Sequence, residues 1–165
     1  MRRVLAACAA VLALAACSGD DKPTAAPTTF VGPVAVTPSP VLQTTKPKVV
    51  VPKGAAPKTL VKNDLIVGTG AFALPNISVT VNYVGVLYKN GKQFDSTWEN
   101  GHPFTFEAGN EDVIAGWDEG VIGMRVGGRR ELVIPPDLAY GAQGYGDLIG
   151  PNETLVFVID LVSVG

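Results

Sequence analysis

The sequence predicts an α+β domain in which a strongly bent antiparallel β-sheet wraps around one short α-helix. Segments with alternating apolar residues recur between residues 58 and 165 and are separated by Gly, Pro and Asn, which is the pattern of half-buried strands. One separator, Asn90-Gly91, is a strong hairpin signal, and a hairpin pairs its two strands antiparallel. Only the segment around Trp117 carries apolar residues at helical spacing.

The first half of the domain predicts four strands. Residues 60–67 form the first, which ends at a Gly-Thr-Gly sequence, and residues 77–88 form the second. We expect a type I′ turn with positive φ at both Asn90 and Gly91. The returning strand begins at Phe94-Asp95, and residues 104–106 form a short fourth strand.

A single helix follows. Asp112 is expected to cap its first turn, because a carboxylate can accept hydrogen bonds from the free N–H groups there. Ile114, Trp117 and Val121 share one face, and Gly123 ends the helix.

Two strands flank a Gly-rich loop at the end of the domain. Residues 127–134 form a strand that stops at two prolines, and residues 137–152 form the loop. Residues 154–164 are apolar on both faces, which predicts a central strand. Arg129 and Arg130 point to opposite faces, and we expect them to lie on a solvated edge rather than in a phosphate site.

The N-terminus is typical of a bacterial export signal. Two arginines precede an apolar run over residues 4–16 that is too short to span a bilayer. The run ends in Leu14-Ala15-Ala16-Cys17, which resembles the lipobox of bacterial lipoproteins. The resemblance implies a signal peptide over residues 1–16, cleavage before Cys17 and a lipid on its thiol. The alternative is an ordinary secretory peptide that leaves Cys17 as a free thiol.

Residues 17–57 predict a flexible, Pro-rich tether, which places the start of the domain at residue 58. Prolines recur throughout this segment and disfavour helices and central strands. Val49-Val50-Val51 is an alternative short edge strand, and binding of the prolines to a partner protein is another. A free tether predicts that the domain unfolds at nearly the same temperature without it.

The charge balance excludes one class of partner. The chain has 13 Lys and Arg residues against 15 Asp and Glu residues, a formal charge of −2. This mild acidity argues against nucleic acid as a partner. We expect the protein to be monomeric.

Aromatic side chains beside turn signals and strand ends predict an apolar cup. They are Tyr83, Phe94, Trp117, Tyr140 and Phe157, accompanied by the carboxylate of Asp95. The only histidine is His102, and no cysteine follows Cys17. Such a cup has almost no group for acid–base or nucleophilic chemistry, and it suits an apolar, ring-shaped ligand.

The order and spacing of five sequence strings resemble the FKBP-type peptidyl-prolyl cis-trans isomerases over roughly residues 58–165. The strings are Val81-Asn82-Tyr83-Val84-Gly85, Gly91-Lys92-Gln93-Phe94-Asp95-Ser96, Val113-Ile114-Ala115-Gly116-Trp117-Asp118-Glu119-Gly120, Ile134-Pro135-Pro136-Asp137-Leu138-Ala139-Tyr140-Gly141-Ala142 and Thr154-Leu155-Val156-Phe157. The resemblance implies isomerisation of X–Pro peptide bonds without cofactor or metal.

The resemblance also implies roles for individual residues. Those implied as catalytic are Tyr83, Phe94, Asp95, Trp117, Tyr140 and Phe157. Those implied as substrate-binding are Phe104, Val113, Ile114, Tyr145, Leu148 and Ile149. Trp117 is implied as the floor beneath the proline ring, and the N–H of Ile114, free at the helix start, as a donor to a ligand carbonyl.

Export signal and resemblance together predict an isomerase that acts on X–Pro segments of exported proteins. It would be anchored by the lipid on Cys17 to the outer face of the bacterial cytoplasmic membrane, within the cell envelope. Macrolides are expected ligands. The alternative is a non-catalytic module or chaperone that binds Pro-containing peptides or macrolides.

Two residues depart from the family pattern. Asn100 stands where an Arg often pairs with the carboxylate of Asp95, and Tyr145 stands where a His is common. The departures affect the tuning of affinity rather than the apolar pocket. Asp95 has two open roles, a structural one through local backbone N–H groups or the Tyr83 hydroxyl, and a direct one on the substrate.

Overall fold

The computed structural model of the protein describes residues 41–165. The predicted signal peptide, the lipidation site at Cys17 and the predicted tether up to residue 40 lie outside the described residues. Among residues 41–165, no helix has the length and apolar character needed to cross a bilayer.

Within residues 41–165, six antiparallel strands form one curved sheet, which confirms the predicted α+β class. They are β1 (Val61–Ile66), β2 (Ile77–Leu87), β3 (Gln93–Ser96), β4 (Phe104–Ala108), β5 (Arg129–Ile134) and β6 (Leu155–Val164). The order is β1-β5-β6-β2-β3, and β4 also pairs with β2. The predicted central position of the last strand is therefore confirmed.

Strand β2 has β6 on one side and shares its other side between two short strands. Its residues 84–86 pair with β3, and residues 77–81 pair with β4. A one-turn helix, α1 (Thr97–Asn100), joins these two strands. The hydroxyl of Ser96 caps it by accepting from the N–H of Trp98 at 3.2 Å. The sequence predicts only one helix, because four residues show no periodicity.

The predicted helix forms α2 (Ala115–Val121) and packs on the sheet through glycines. A Cβ at Gly116 would lie 2.3 Å from Cγ2 of Ile134, and one at Gly120 would lie 2.4 Å from Cδ1 of Leu132. Only glycine permits this approach of helix to strand β5. Trp117, between the two glycines, is thereby pressed into the core.

The predicted helix cap is wrong. The helix begins after Ile114, and no side chain caps it. The carboxylate of Asp112 instead accepts from the N–H of Glu107 at 3.4 Å. The buried carboxylate of Asp118, inside the first turn, accepts from Gly109 and Glu111, both at 2.9 Å. It fixes the loop that leads into the helix.

The hairpin at residues 88–92 is confirmed, but its predicted turn type is wrong. Gly91 has φ 69°, whereas Asn90 is not among the residues with positive φ. The N–H of Gly91 donates to the carbonyl of Leu87 at 2.8 Å, and Leu87 donates to Lys92 at 2.9 Å. A longer turn with one left-handed glycine thus replaces the two-residue type I′ turn.

The predicted solvated edge for the two adjacent arginines is also wrong, because β5 lies between β1 and β6. Arg129 makes a bidentate pair with Asp160 at 2.6 and 2.9 Å. Arg130 is buried and contacts Asp64 at 2.7 and 3.0 Å. Arg130 also donates to the carbonyl of Gly120 at 2.8 Å, which ties the sheet to the end of α2.

Apolar clusters lie on both faces of the sheet. The inner cluster joins α2 to the sheet and includes Trp117, Val121, Leu132, Ile134 and Phe157. The outer cluster consists of Val84, Val86, Val133 and Val156. Adjacent residues of β6, Val156 and Phe157, thus face opposite clusters, as strand geometry requires.

Part of the segment assigned to the tether lies against the outer cluster. Val49 and Val51 pack on it, together with Val61, Tyr88 and Trp98. The sequence predicts flexibility here because prolines exclude regular structure, but they do not exclude apolar packing of an irregular chain. The domain boundary at residue 58 stays a prediction.

Candidate active site

The floor of the pocket consists of two rings from different elements. Trp117 projects from α2 and Phe157 from β6, and both are 4% exposed. Their centroids lie 5.2 Å apart with an interplanar angle of 85°. Tyr83, from β2, contacts Trp117 edge to face at 4.9 Å and 86°. Such edge-to-face pairs match the positive edge of one ring to the negative face of another, which stabilises this arrangement of the rings.

Gly85 allows the ring of Phe94, which forms one wall of the pocket, to reach the floor. A Cβ at this position would lie 2.7 Å from ring atoms of both Phe94 and Phe157. Because glycine has none, the two rings pack over the backbone of β2 at 5.4 Å and 85°. Gly85, within strand β2, is therefore part of the pocket.

Phe104 forms the opposite wall. Its ring lies 6.1 Å from Trp117 and 6.4 Å from Tyr83. Phe106, two residues further along β4, stacks on it at 5.6 Å and 22° and also contacts Trp117. Sequence reasoning missed this supporting role of Phe106, although the i, i+2 spacing on a strand places both rings on one face.

Asp95 stands on the rim and makes the local contacts that one of its two predicted roles requires. Its carboxylate accepts a short hydrogen bond from the Tyr83 hydroxyl and one from the N–H of Ser96 at 2.8 Å. The amide of Asn100 lies 3.5 Å away, a long contact in place of the family's ion pair. Burial, followed by the hydrogen bond and the negative charge of Asp95, raises the pKa of Tyr83 well above its usual value.

The residues just before α2 supply a backbone donor. Val113 and Ile114 are half-buried against the inner cluster. The carbonyl of Ile114 accepts from the N–H of Trp117 at 2.8 Å, while the N–H of Ile114 has no acceptor among residues 41–165. Val113 and Ile114 both line the cavity that the rings enclose.

The Gly-rich loop adds a stacked pair of tyrosines. The rings of Tyr140 and Tyr145 lie 4.9 Å apart at 25°. Burial, followed by the neighbouring Tyr145 and Asp95, raises the pKa of Tyr140. Tyr145 is 65% exposed, so the pair runs from the cavity to solvent.

These residues enclose a cavity of about 310 Å³. It is lined by Tyr83, Phe94, Asp95, Phe104, Asp112, Val113, Ile114, Trp117, Tyr140, Tyr145 and Phe157. All six residues predicted as catalytic and four of those predicted as substrate-binding meet here. The lining residue that sequence reasoning missed is Asp112, which was assigned to the helix cap.

The remaining two predicted residues lie next to this cavity rather than in it. Leu148 and Ile149 line an adjoining space of about 170 Å³, which shares Phe94, Asp95, Tyr140 and Tyr145 with the main cavity. Leu148 is exposed and Ile149 is buried, so Leu148 is the side chain free to meet a ligand. The roles of all twelve residues stay predictions.

A family model described as FKBP-type peptidyl-prolyl cis-trans isomerase matches residues 71–162. This chain belongs to that family of isomerases. The matched range contains every residue of the cavity.

Known relatives agree with the assignment over the whole domain. The isomerase is 50% identical over 120 residues to an FK506-binding protein of Streptomyces anulatus, covering 72% of this chain and 97% of the relative. It is 50% identical over 118 residues to a probable FK506-binding protein of Corynebacterium glutamicum, covering 72% and 98%. Its fold resembles the crystal structure of AtFKBP13, with a TM-score of 0.61 and 39% identity over 67% of this chain and 96% of that one.

Proposed function

We propose that this isomerase acts on X–Pro bonds of exported proteins and assists their folding at the outer face of the membrane. The observation that carries the catalytic part is the cavity itself. It combines a floor of edge-to-face rings with polar groups from two aspartates, three tyrosines and the backbone N–H of Ile114. A proline ring fits the apolar floor, and a peptide backbone needs the polar rim.

Desolvation is the physical basis of catalysis in this proposal. Rotation about the X–Pro bond has a barrier of about 18–20 kcal/mol because amide resonance is lost in the twisted state. Water stabilises the planar, more dipolar amide. A dry pocket therefore disfavours the planar state relative to the twisted one. Lowering the barrier by about 4 kcal/mol gives roughly a thousandfold acceleration.

The rim would hold the peptide while the bond rotates. The N–H of Ile114 and the hydroxyl of Tyr140 are donors for two substrate carbonyls. Tyr83 donates to Asp95, and this pair keeps the rim of the cavity in one geometry. The mechanism needs no proton transfer, because neither bond order nor charge changes between the cis and trans amides.

The location rests on the sequence. Cleavage before Cys17 and addition of a diacylglycerol to its thiol would hold the domain at the membrane surface, where exported chains emerge unfolded. Slow prolyl steps, which take tens of seconds, limit the folding of such chains. An isomerase held at that surface would meet its substrates before they fold.

Exchange spectroscopy on a short X–Pro peptide tests the catalytic part without a coupled protease. We expect the isomerase to accelerate cis–trans exchange, and FK506, for which its relatives are named, to abolish the acceleration. Binding of FK506 or the peptide without acceleration would contradict the proposal and support the non-catalytic binding module. A pocket variant, Trp117→Ala, is the control for contaminating isomerases.

A further inference from the structure

We propose that residues 43–55, here called the strap, are a folded part of the domain that seals the outer face of the sheet and braces helix α1 behind the pocket. The inference does not depend on the proposed substrates. It concerns how the chain that leads towards Cys17 meets the catalytic domain.

Alternating burial along the strap shows how it is held. Pro47 is buried, and Val49 and Val51 pack on the outer cluster, whereas Val50 between them is 66% exposed. An unattached Pro-rich chain has no reason to distribute its side chains in this way. Without the strap, the outer cluster would lose part of its cover against water.

Polar contacts fix the start of the strap. The amide of Gln43 donates to the carbonyl of Gly127 at 3.1 Å. Arg129 donates to the carbonyl of Thr45 at 2.8 Å while it holds Asp160. These contacts join the start of the strap to β5 and to the loop before it, so the path across the sheet has one direction and register.

A third contact reaches α1. The ammonium of Lys46 lies 2.5 Å from the carboxylate of Glu99 and holds the pKa of that carboxyl below its usual value. The second oxygen of Glu99 accepts from Gln93 at 2.9 Å. Trp98, the residue beside Glu99, packs on the same outer cluster as Val49 and Val51.

Helix α1 is in turn bonded to the pocket. The hydroxyl of Thr97 accepts from the N–H of Tyr83 at 2.8 Å, and Ser96, which caps the helix, donates to Asp95. A shift of α1 would therefore move both members of the Tyr83–Asp95 pair. The strap lies on the opposite side of the sheet from the pocket. It supports α1, and α1 is hydrogen-bonded to the pocket residues.

Apolar contacts contribute more to this docking than the ion pair. Both partners of the Lys46–Glu99 pair are substantially exposed, and exposed ion pairs add little stability. A carboxylate placed at a half-buried valine that packs on the outer cluster, by contrast, cannot keep those apolar contacts without losing part of its hydration. The decisive substitutions are therefore at Val49 and Val51.

The test compares three substitutions in the full chain. Val49→Asp and Val51→Asp should release the strap, and Val50→Asp adds the same charge at the exposed position between them. We expect each of the first two to lower the unfolding midpoint by at least about 5 °C and to speed tryptic cleavage after Lys53 at least tenfold. Val50→Asp should leave both unchanged. Equal behaviour of all three variants would overturn the strap.

A second measurement tests the bracing of α1. Backbone amide signals of residues 95–100 should shift in Val49→Asp and Lys46→Ala but not in Lys48→Ala, which removes an exposed lysine two residues away. Lys46→Arg should leave the amide signals of residues 95–100 at their wild-type positions, because it keeps the charge. Loss of stability with unmoved signals would overturn the bracing while leaving the docking. Peptide exchange in the same samples separates either result from a failure of the proposed catalysis.

Discussion

The pocket depends on single rings that contact one another edge to face. Phe94 contributes less to the fold than the two floor rings, because it is only half-buried and comes from a short strand. Trp117 and Phe157 are both 4% exposed and belong to the inner cluster. Substitution of Phe94 therefore separates catalysis from folding better than substitution of the floor.

Phe94→Ala is expected to lower isomerase turnover at least tenfold, about 1.4 kcal/mol of barrier. Removal of this wall leaves a space that admits water to the amide. Tyr140→Phe keeps the apolar wall and removes only the hydroxyl, so it should cost less. Turnover is measured by peptide exchange, with circular dichroism as the check that each variant is folded. A larger loss from Tyr140→Phe than from Phe94→Ala would show that the hydroxyl, not the dry wall, dominates.

Asp95→Asn should reduce turnover less than Phe94→Ala. Both carboxylate oxygens already accept hydrogen bonds, from Tyr83 and Ser96, and an amide keeps one acceptor for the backbone N–H.

Tyr83→Phe should lower the free energy of unfolding by about 1 kcal/mol, because it removes the hydrogen bond from the Tyr83 hydroxyl to Asp95. In the double variant the two effects on stability should not add, since both remove one interaction. Full additivity would mean that the two residues act separately.

Alkaline pH should destabilise the protein partly through Tyr83. The folded-state pKa of its phenol is raised by burial and by Asp95, from 10.0, so the unfolded chain loses this proton first. The contribution to stability is fully present below pH 10 and falls as pH rises above it towards the folded-state pKa. Denaturant unfolding at about pH 9 and about pH 11 should therefore show a smaller decrease for Tyr83→Phe than for the wild type. Equal decreases would contradict this assignment.

The sequence predicts ten of the eleven residues that line the cavity as members of one site, and most of them are aromatic side chains at or beside turn signals and strand ends. Gly85 shows why the spacing is informative, since the rings of Phe94 and Phe157 occupy the place of its missing side chain. The stacking of Tyr145 on Tyr140 was not predictable. It depends on the path of a loop in which Tyr145 and Ile149 exchange backbone hydrogen bonds, and no periodicity records such a path.

Helix α2 lies unusually close to the sheet, and this closeness positions Trp117. In an ordinary helix interior, Gly→Ala stabilises by roughly 0.8–1 kcal/mol. At Gly116 and Gly120 the added methyl would instead overlap Ile134 and Leu132, both of which are fully buried. Whether Gly→Ala at these two positions stabilises or destabilises the protein therefore indicates how close the helix lies to the sheet.

Gly120→Ala is expected to destabilise the protein by about 1–3 kcal/mol, because the fully packed core has no space for the methyl group. Leu132→Val in the same chain should recover part of this loss, since it withdraws the atoms nearest the new methyl. Glu119→Ala, at the exposed neighbouring position, is the control and should be nearly neutral. Chemical denaturation measures all three. Stabilisation by Gly120→Ala would mean that the helix sits further from β5 than described.

At the scale of elements, the periodicity of apolar residues predicted the strands and helix α2. Competition between side chains for hydrogen-bond partners decided where these elements end. Asp112 has the right residue type for a cap, but it lies too early and bonds Glu107, while Asp118 organises the loop from inside the helix. Arg129 and Arg130 look solvated in sequence. Their carboxylate partners, Asp160 and Asp64, are 31 and 66 residues away, a distance that no local pattern spans.

At the scale of the whole molecule, the proposed anchor gives a simple prediction. Cys17→Ser should release the isomerase from the membrane fraction, because serine cannot form the thioether to the lipid. The diacyl group matters, since a single acyl chain binds membranes only marginally. Fractionation followed by immunoblotting measures the distribution, and Cys8→Ser is the matched control that should stay bound. Retention of Cys17→Ser in the membrane would contradict the lipobox assignment.

The position of β6 has a consequence for when the isomerase can fold. Strands β2, β3 and β4 pair among themselves, as do β1 and β5, and among the strands of residues 41–165 only Leu155–Val164 pairs with both groups. A ribosome or translocon that still holds these residues keeps the halves apart. The catalytic pocket also waits, because Phe157 belongs to its floor. The isomerase is therefore expected to be inactive until Leu155–Val164 is free to pair, and its sheet then closes through contacts distant in sequence.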